Sequence, residues 1–208
     1  NIIEKNIIRN NTNSGIDIGQ SSYNTIIYND IFWNDRGILL VGSTTTENKI
    51  VANCIFNNGG KTKPDGGVCL IDWPHHNVIY HNNFINNTIQ ARISGIEVNR
   101  WDDGYPSGGN YWSDHVCTGN PSDGSQPHVI DADNIDHYPF QDPDAWYIKG
   151  DVNRDGIVGI FDVIIWGNAF GSQPGDPNWN GQADLYSDNI IDIFDGIIIS
   201  INYGKTYP

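Results

Sequence analysis

The sequence predicts a mainly β protein, in which a parallel β-helix over residues 1–140 is followed by a small α-helical domain over residues 150–208. Three features support this fold class. Asparagine and isoleucine recur in four segments with the same internal spacing. The 208 residues include 32 Ile, 27 Asn and 23 Gly, a composition typical of short strands joined by many turns. An acidic loop that begins at Asp151 also returns at Asp184, each time before a short apolar segment.

The repeats define the first elements. Each has the pattern N-x-I-x-x-N-x-[IF]-x-x-N, and the four copies open at Asn1, Asn24, Asn48 and Asn77. The first two intervals are nearly equal, and the third is lengthened by an insertion around residues 61–65. Each predicted strand is too short to bury its own apolar face, so equivalent strands of successive copies must pair. We therefore predict one β-helical coil per copy, with stacked corner asparagines. The predicted internal column contains Ile3, Ile26, Ile50 and Ile79.

A third strand is predicted in each coil after the last asparagine of the pattern. Its start is marked by a glycine followed by a β-branched residue. The candidates are Gly15-Ile16, Gly37-Ile38, Gly67-Val68 and Gly95-Ile96. Each coil over residues 1–98 is thus expected to contain two or three short strands.

The composition excludes several classes of partner. Asp and Glu total 25 against 11 Lys and Arg, and the net charge of −14 would repel nucleic acids and anionic lipids. No apolar run approaches the roughly 18 residues of a spanning helix, so we predict no membrane span. At most one disulfide can join two of Cys54, Cys69 and Cys117, and the pairing stays open. Because the sequence contains no Met, it is expected to be either a processed chain or an excised fragment.

The segment after the coils carries a longer and more specific phrase. It reads Asn99-Arg-Trp-Asp-Asp-Gly-Tyr-Pro-Ser-Gly-Gly-Asn-Tyr-Trp-Ser-Asp114 and closes with Asp136-His-Tyr-Pro-Phe140. Together with the repeats it resembles the C-terminal end of NosD-like right-handed β-helix repeat proteins of the archaeal surface type. The resemblance covers residues 1–140. It leads us to interpret 99–140 as an irregular cap over the apolar interior of the coils.

The name of that family implies copper processing. Copper(I) sites prefer Met and Cys ligands, and the chain has no Met. The one local group of histidines contains His75, His76 and His81. Histidines in such a loop are more typical of a surface than of a metal site, so we do not expect a copper centre here.

The sharpest motif is a twelve-residue loop over residues 151–162. Its predicted ligands at positions 1, 3, 5, 7 and 12 are Asp151, Asn153, Asp155, Ile157 through its carbonyl, and Asp162. This is the spacing of an EF-hand-like loop, in which hard oxygen atoms bind Ca²⁺. Gly156 at position 6 permits the sharp turn around the ion. The sequence therefore predicts one calcium site in this loop.

A second copy of the loop follows. Its predicted ligands are Asp184, Asp188, Ile190 through its carbonyl, Asp192 and Asp195. It differs at position 3, where Tyr186 supplies no carboxylate or amide oxygen, and at position 6, where Asn189 replaces glycine. Asp192 at position 9 is expected to compensate, so we predict a second calcium site that is less complete than the first.

Each loop precedes a predicted helix, over residues 161–169 and 194–202. Two calcium loops that each open an apolar helix resemble a type I dockerin module over residues 150–207. The resemblance implies binding to a protein partner, either a cohesin-like domain or a neighbouring copy of this chain. The residues that it implies for this contact are Ile160, Phe161, Ile193 and Phe194. An alternative is that the module docks on its own β-helix, held by the connecting segment 141–149.

Two classes of function remain. The leading prediction is a non-catalytic extracellular, cell-surface scaffold, attached through the calcium-bound module or assembled into a filament through open coil edges. The alternative is a carbohydrate-binding or polysaccharide-processing β-helix protein anchored by a dockerin. Stacked catalytic carboxylates need a common strand face. The acidic candidates lie at different offsets from their asparagines, so we predict no enzyme activity; they are Asp17, Asp30, Asp72 and Glu97.

Two further features point to carbohydrate. Asn10-Asn-Thr12 and Asn86-Asn-Thr88 match the N-glycosylation pattern at the same offset in their coils, which makes Asn10 and Asn86 candidate modification sites. Tryptophans can also stack on sugar rings. The candidates are Trp33, Trp73 and Trp101, although packing in the core or the cap is the favoured explanation for each.

Overall fold

A computed structural model describes residues 1–60 and 65–206, so residues 61–64 of the predicted insertion lie outside the described part. The chain divides into two compact units, Asn1–Trp146 and Tyr147–Pro208, which we call the coil unit and the helical unit. None of the described helices is long and apolar enough to cross a membrane.

The coil unit is built from short strands. In chain order these are β1 (Ile2–Glu4), β2 (Ile7–Arg9), β3 (Ser14–Gly19), β4 (Thr25–Ile27), β5 (Asp30–Phe32), β6 (Arg36–Val41), β7 (Lys49–Val51), β8 (Cys54–Phe56), β9 (Val68–Ile71), β10 (Val78–Tyr80), β11 (Asn83–Ile85), β12 (Ala91–Ser94), β13 (Tyr111–Trp112), β14 (His128–Val129) and β15 (Ile135–Asp136). Three parallel sheets have the orders β1-β4-β7-β10, β2-β5-β8-β11-β13 and β3-β6-β9-β12, and β14 pairs with β15 in antiparallel fashion. Equivalent strands of successive repeats thus pair in a mainly β, β-helix-like architecture.

The register places the repeated isoleucines in columns inside the coils. Ile3 pairs with Ile26, Ile26 with Ile50, and Ile50 with Ile79. The last three are fully buried, and Ile3 packs partly buried against the same core. A second column contains Ile8, Ile31, Ile55 and Phe84. Because every coil adds one residue to each column, neighbouring coils bury the apolar face that a single short strand could not.

Rows of asparagine follow these columns at the corners. Asn53 illustrates the pattern, since its Oδ1 accepts hydrogen bonds from the backbone N and from Nδ2 of Asn29, both at 3.0 Å. Its own Nδ2 donates to the carbonyls of Ile26 and Val51, at 2.9 and 3.0 Å, and to Oδ1 of Asn82 at 3.0 Å. Buried amides and carbonyls are costly without partners, and the asparagine rows satisfy them at the turns between strands.

The third strands confirm three of the four predicted starts. Gly15, Gly37 and Gly67 stack on one another, and a Cβ on Gly37 would lie 2.5 Å from the carbonyl oxygen of Gly67, so only glycine permits this approach between coils. The prediction for Gly95-Ile96 is wrong. The fourth strand is β12, which pairs Ala91 with Val68 and therefore begins before Gly95. The signal failed because Gln90, whose carbonyl faces Gly67, occupies the position that glycine holds in the other coils.

The cap closes the interior with two tryptophans. Trp101 and Trp112 are almost wholly buried, and Trp112 stacks on Phe84 of the last coil with ring centroids 4.4 Å apart. The indole N–H of Trp101 donates to Oδ1 of Asn134 at 3.1 Å, and that of Trp112 donates to Oδ2 of Asp136 at 2.8 Å. Asn134 and Asp136 also terminate two asparagine rows, so the same two side chains end these rows and hold Trp101 and Trp112 in place. Burial of Trp101 removes it as a glycan-binding candidate.

Asp136 is the most deeply buried acid of the cap. Burial raises the pKa of its carboxyl to about 7, while hydrogen bonds from Trp112 and Asn110 favour the ionised form. The donor at Asn110 is its backbone N–H, 2.7 Å from Oδ2. A Cβ on Gly109 would lie 1.8 Å from Oδ1, so glycine is required where the chain passes this carboxyl.

We expect acid to destabilise the cap through His128. This side chain stacks on Trp112 with ring centroids 4.1 Å apart, and burial lowers its pKa to about 4, with His115 adding to the shift and Asp114 opposing it. Between pH 6.5 and 4 the unfolded chain binds the proton first, so the free energy of unfolding decreases as pH falls, by roughly 1–2 kcal/mol after allowance for partial exposure. His128→Phe should remove this dependence.

Urea unfolding of the parent chain and of His128→Phe from pH 4 to 7 measures this effect. It is the difference between their free energies of unfolding, in which the contribution of Asp136 cancels. That contribution has the opposite sign, since a raised carboxyl pKa lowers stability as pH rises toward 7. Parallel pH profiles of the two chains would contradict the prediction.

The helical unit contains two described α-helices, α1 (Ile160–Ala169) and α2 (Ile193–Asn202), and a short 3₁₀ turn at Gly181–Ala183. Both helices were expected from the sequence, and each begins one residue earlier than predicted. Asp162 and Asp195 stand in the first turns, where a carboxylate interacts favourably with the helix N-terminus. The buried core contains Val152, Val158, Ala169, Ala183, Leu185, Ile191 and Ile199.

Candidate metal-binding loops

The first loop wraps its backbone N–H groups around two carboxylates. Asp151 at position 1 accepts hydrogen bonds from the backbone N of Asp155 at 3.0 Å and of Gly156 at 2.9 Å. Asp162 at position 12 accepts from the backbone N of Asn153 at 3.0 Å and of Gly159 at 2.7 Å. Both ends of the loop are therefore tied to its backbone amides, and both carboxylates are fully buried.

The second loop repeats this network at the equivalent positions. Asp184 accepts from the backbone N of Asp188 at 3.2 Å and of Asn189 at 3.0 Å. Asp195 accepts from the backbone N of Tyr186 and of Asp192, both at 2.8 Å. The sequence duplication is thus a duplication of backbone conformation as well.

The two departures in the second loop have different consequences. Asn189 adopts φ +66°, close to the φ of +89° at Gly156, so it provides the left-handed turn that glycine provides in the first loop. Tyr186 does not replace Asn153 in the same way. Its ring stacks on Phe194 with centroids 5.5 Å apart, whereas the Asn153 side chain accepts from the backbone N of Asp155 at 2.9 Å. The second loop keeps the backbone shape but has no carboxylate or amide oxygen at position 3.

The two repeats also exchange backbone hydrogen bonds, which the sequence did not indicate. Position 8 of the first loop, Val158, donates to the carbonyl of Lys205 at 3.0 Å, just beyond α2. Position 8 of the second loop, Ile191, donates to the carbonyl of Ser172 at 3.0 Å, just beyond α1. Each loop is therefore hydrogen-bonded to the segment that follows the other helix.

The charge of the helical unit favours a cation. Residues 150–207 contain eight Asp and only two basic residues. Burial raises the pKa of Asp151, and the neighbouring carboxylates of Asp162 and Asp155 raise it further, while the backbone amides of Gly156 and Asp155 oppose the shift. The candidate metal ligands of both loops are all oxygen atoms, the type of ligand that calcium prefers. Among residues 1–60 and 65–206, however, no group of three or more His, Cys, Asp or Glu side chains is arranged to hold a metal ion.

The helices present apolar side chains to solvent. Phe161 is 64 % exposed and Phe194 is 52 % exposed, and Ile160 and Ile193 beside them are exposed to a similar degree. Further exposed apolar residues of the helical unit are Ile157, Ile164, Phe170, Tyr186, Ile190, Ile197, Ile201 and Tyr203. A groove of about 240 Å³ between the helices is lined by Val163, Trp166, Gly196, Ile199, Ser200 and Tyr203. Exposed apolar surface of this extent is typical of a protein interaction site.

The coil unit has a cleft of about 840 Å³ beside the cap. Its lining combines charged and imidazole side chains, which are Glu47, His76, Arg100, Asp102, Asp133 and His137. Nδ1 of His137 lies 3.0 Å from Oδ2 of Asp102, which is mostly buried and whose Oδ1 accepts from the backbone N of Gly104 at 3.0 Å. Asp102 is thus a turn residue, and it also orients an exposed histidine at the cleft.

The acidic residues considered for catalysis do not form a stack. Asp17 pairs with Leu39 of the next coil, and Asp30 pairs with Cys54. The remaining candidates lie outside the strands and are Asp72 and Glu97. These carboxylates therefore have different surroundings on the coils.

A match to a known protein family lies within the coil unit. The family described as periplasmic copper-binding protein (NosD) matches residues 1–117. The chain belongs to this family. The match covers more than half of the sequence and supports the resemblance that the repeats suggested. No curated protein matches the chain significantly, and no solved structure does.

The description of the NosD family names copper, but the described residues of this chain do not form a suitable copper site. The thiols of Cys69 and Cys117 are free and buried, and burial raises the pKa of both, so neither forms the disulfide left open by the sequence. His75 and His76 have ring centroids 4.9 Å apart. The third histidine of that group, His81, instead directs Nε2 to the carbonyl of Ser107 at 2.8 Å, and within the described part of the chain the three histidines form no group that could hold a metal ion.

Proposed function

We propose that this NosD-family protein is a non-catalytic extracellular scaffold whose helical unit binds calcium and then docks on a protein partner. The coil unit serves as a rigid spacer because its strands, columns and asparagine rows are all fixed by neighbouring coils. The family is described as periplasmic, which places its members outside the cytoplasm. A cell-surface location for this chain is part of the proposal.

Calcium is proposed for both loops. In the first, the ligands would be Asp151, Asn153, Asp155, the carbonyl of Ile157 and Asp162, and in the second Asp184, Asp188, the carbonyl of Ile190, Asp192 and Asp195. The bound ion would supply positive charge to the buried carboxylates. Asp162 and Asp195 are also first-turn residues of α1 and α2, so filling the loops would fix the starts of both helices.

The exposed apolar helix face carries the docking proposal. Ile160, Phe161, Ile193 and Phe194 are each more than half exposed, although burying them would be worth about 1.5–3 kcal/mol per side chain. A dockerin-like module would use these residues to bind a cohesin-like domain or a second copy of this chain. A self-assembled filament is the outcome expected if the second copy is the partner and the contact does not close.

We expect Phe161→Asp and Phe194→Asp to abolish docking while leaving calcium binding intact. Both residues lie outside the predicted ligand set and are exposed, so the changes should cost little folding free energy. Sedimentation of the full chain in calcium measures self-association, and binding to its native extracellular fraction, with and without chelator, measures docking on another protein.

The matched control is Ile96→Asp, which changes an 83 % exposed apolar residue of the coil unit in the same way. It should bind and sediment like the parent chain. A full chain that stays monomeric and partnerless in calcium, or variants that dock as well as the parent, would overturn the docking proposal.

A second candidate function, carbohydrate binding, is favoured by the cleft beside the cap. The carboxylates of Glu47 and Asp133 and the guanidinium of Arg100 would suit the hydroxyls of a neutral sugar, and Val78 and Val98 offer apolar contact. We expect a neutral tetrasaccharide to bind and Arg100→Ala to weaken it about tenfold, with a hexuronate tetrasaccharide and Arg9→Ala as controls. Calorimetry that shows no binding of the neutral tetrasaccharide would remove this candidate.

A further inference from the structure

The two N-glycosylation patterns of the chain fall at structurally equivalent positions. Only Asn10-Asn-Thr12 and Asn86-Asn-Thr88 fit Asn-x-Ser/Thr with x other than proline, although the chain has 27 asparagines. Arg9 pairs with Phe32, Phe32 with Phe56, and Phe56 with Ile85. The residues that follow these strands therefore form one corner row along the coils, which contains Asn10, Trp33, Asn57 and Asn86.

All four residues of this corner row have the left-handed backbone conformation, with φ between 52° and 62°. Asparagine tolerates this conformation better than most residues, so its presence here has a structural cause. The following asparagine of each pattern has another task. Asn11 and Asn87 use their side-chain amides inside the ladder, with Asn11 Nδ2 2.8 Å from Oδ1 of Asn34 and Asn87 Nδ2 2.8 Å from the carbonyl of Ile55.

The side-chain amide of the first asparagine in each pattern is accessible for modification. Asn10 and Asn86 are exposed, and so are Thr12 and Thr88 two residues later. The one hydrogen bond described for Asn86 uses its backbone N, which donates to Oγ of Ser113 at 2.9 Å, and leaves Nδ2 accessible. Successive coils are about 4.8 Å apart, so the two asparagines are separated by roughly 14 Å, enough for both to carry a sugar.

Trp33 occupies the row between Asn10 and Asn57. It is 55 % exposed and lies about one coil spacing from Asn10. Phe32 supports it edge-on with ring centroids 5.0 Å apart, and Phe32 in turn stacks on Phe56 at 4.5 Å. An indole held in place but left uncovered offers an apolar face on which a pyranose ring can pack.

We propose that Asn10 and Asn86 carry N-linked glycans and that the first sugar on Asn10 packs against Trp33. The modification joins Nδ2 to C1 of a sugar, breaks the C1–oxygen bond to a lipid-linked phosphate donor, and releases an amide proton to the base of the transferring enzyme. The glycans line one corner of the coils. The proposal is independent of calcium binding and of docking by the helical unit.

Glycopeptide mass spectrometry of the protein from its natural source tests the modification. Peptides containing Asn10 and Asn86 should carry a sugar mass, and Thr12→Ala and Thr88→Ala should each remove one glycan without changing an asparagine. Asn57 is the internal control, because it shares the corner and the backbone conformation but is followed by Asn58 and Gly59. Unmodified Asn10 and Asn86 in the native protein would overturn the proposal.

The contact with Trp33 is tested by a double-mutant cycle on the secreted, glycosylated chain. Trp33→Ala should lower Tm more in the glycosylated parent than in the Thr12→Ala background, because only the parent has a sugar on Asn10 that packs against Trp33. Thr88→Ala is the matched control, since it removes a glycan from the same row three coils away. Equal decreases in all backgrounds would refute the packing of the sugar on Trp33.

Discussion

Replacing Ile50 by aspartate is expected to unfold the coil unit. Ile50 lies fully buried between Ile26 and Ile79 in the internal column. An unpaired carboxylate there would cost more than about 5 kcal/mol, comparable to the whole stability of a domain. Because each coil supports its neighbours, the loss should spread along the column rather than remain local. Urea unfolding followed by the fluorescence of the buried tryptophans of the cap measures it.

The matched control is Lys49→Asp, one residue away on the same strand, where the side chain is exposed. It should change the free energy of unfolding by less than about 1 kcal/mol. Ile50→Val removes a single methylene and should cost about 1 kcal/mol, which gives an intermediate point. A cooperative unfolding transition for Ile50→Asp at the urea concentration of the parent chain would show that this column is not the core.

The sequence predicted the coil register because stacking forces the same residue type to recur at the same offset. The columns of isoleucine and the corner asparagines could therefore be aligned without any knowledge of the fold. Residues that occur once have no such signal. Asn134 and Asp136 end two asparagine rows from positions far along the chain, and nothing in the repeat spacing connects them to the tryptophans they hold. The start of β12, the third strand of the fourth coil, was predicted at the wrong place for the same reason, since Gln90 stands where the other coils have glycine.

The helical unit shows the same division between repeated and single features. The loops and helices were predicted from the duplication of the acidic loop, and the hydrogen bonds to Asp151 and Asp184 follow that duplication. The hydrogen bonds that cross between repeats could not be predicted, because Val158 and Ile191 contact segments outside the loop pattern. Because each loop is hydrogen-bonded to the segment after the other helix, we expect the two proposed calcium sites not to act independently.

Calcium is expected to stabilise the helical unit strongly, and the first loop is expected to contribute most. Without the ion, buried carboxylates at Asp151, Asp162 and Asp195 face an excess of negative charge. Calcium at a thousand times its Kd would stabilise the unit by about 4.1 kcal/mol, a roughly thousandfold rise in protection from hydrogen exchange. Residues 160–169 and 193–202 should show this rise together, because the loops are cross-connected, whereas residues 26–31 of the coil unit should not respond.

The decisive variants remove two carboxylates from one loop of the full chain. Asp151→Ala with Asp155→Ala should abolish one binding event in calorimetry and most of the calcium-dependent protection in both helices. Asp184→Ala with Asp188→Ala should have the smaller effect, since Tyr186 gives that loop no carboxylate or amide oxygen at position 3. Asp17→Ala with Asp30→Ala removes the same charge from exposed positions of the coil unit and should change neither measurement. Unchanged calcium stoichiometry in the first variant, or helix protection that ignores calcium in the parent chain, would show that the loops hold their shape by hydrogen bonds alone.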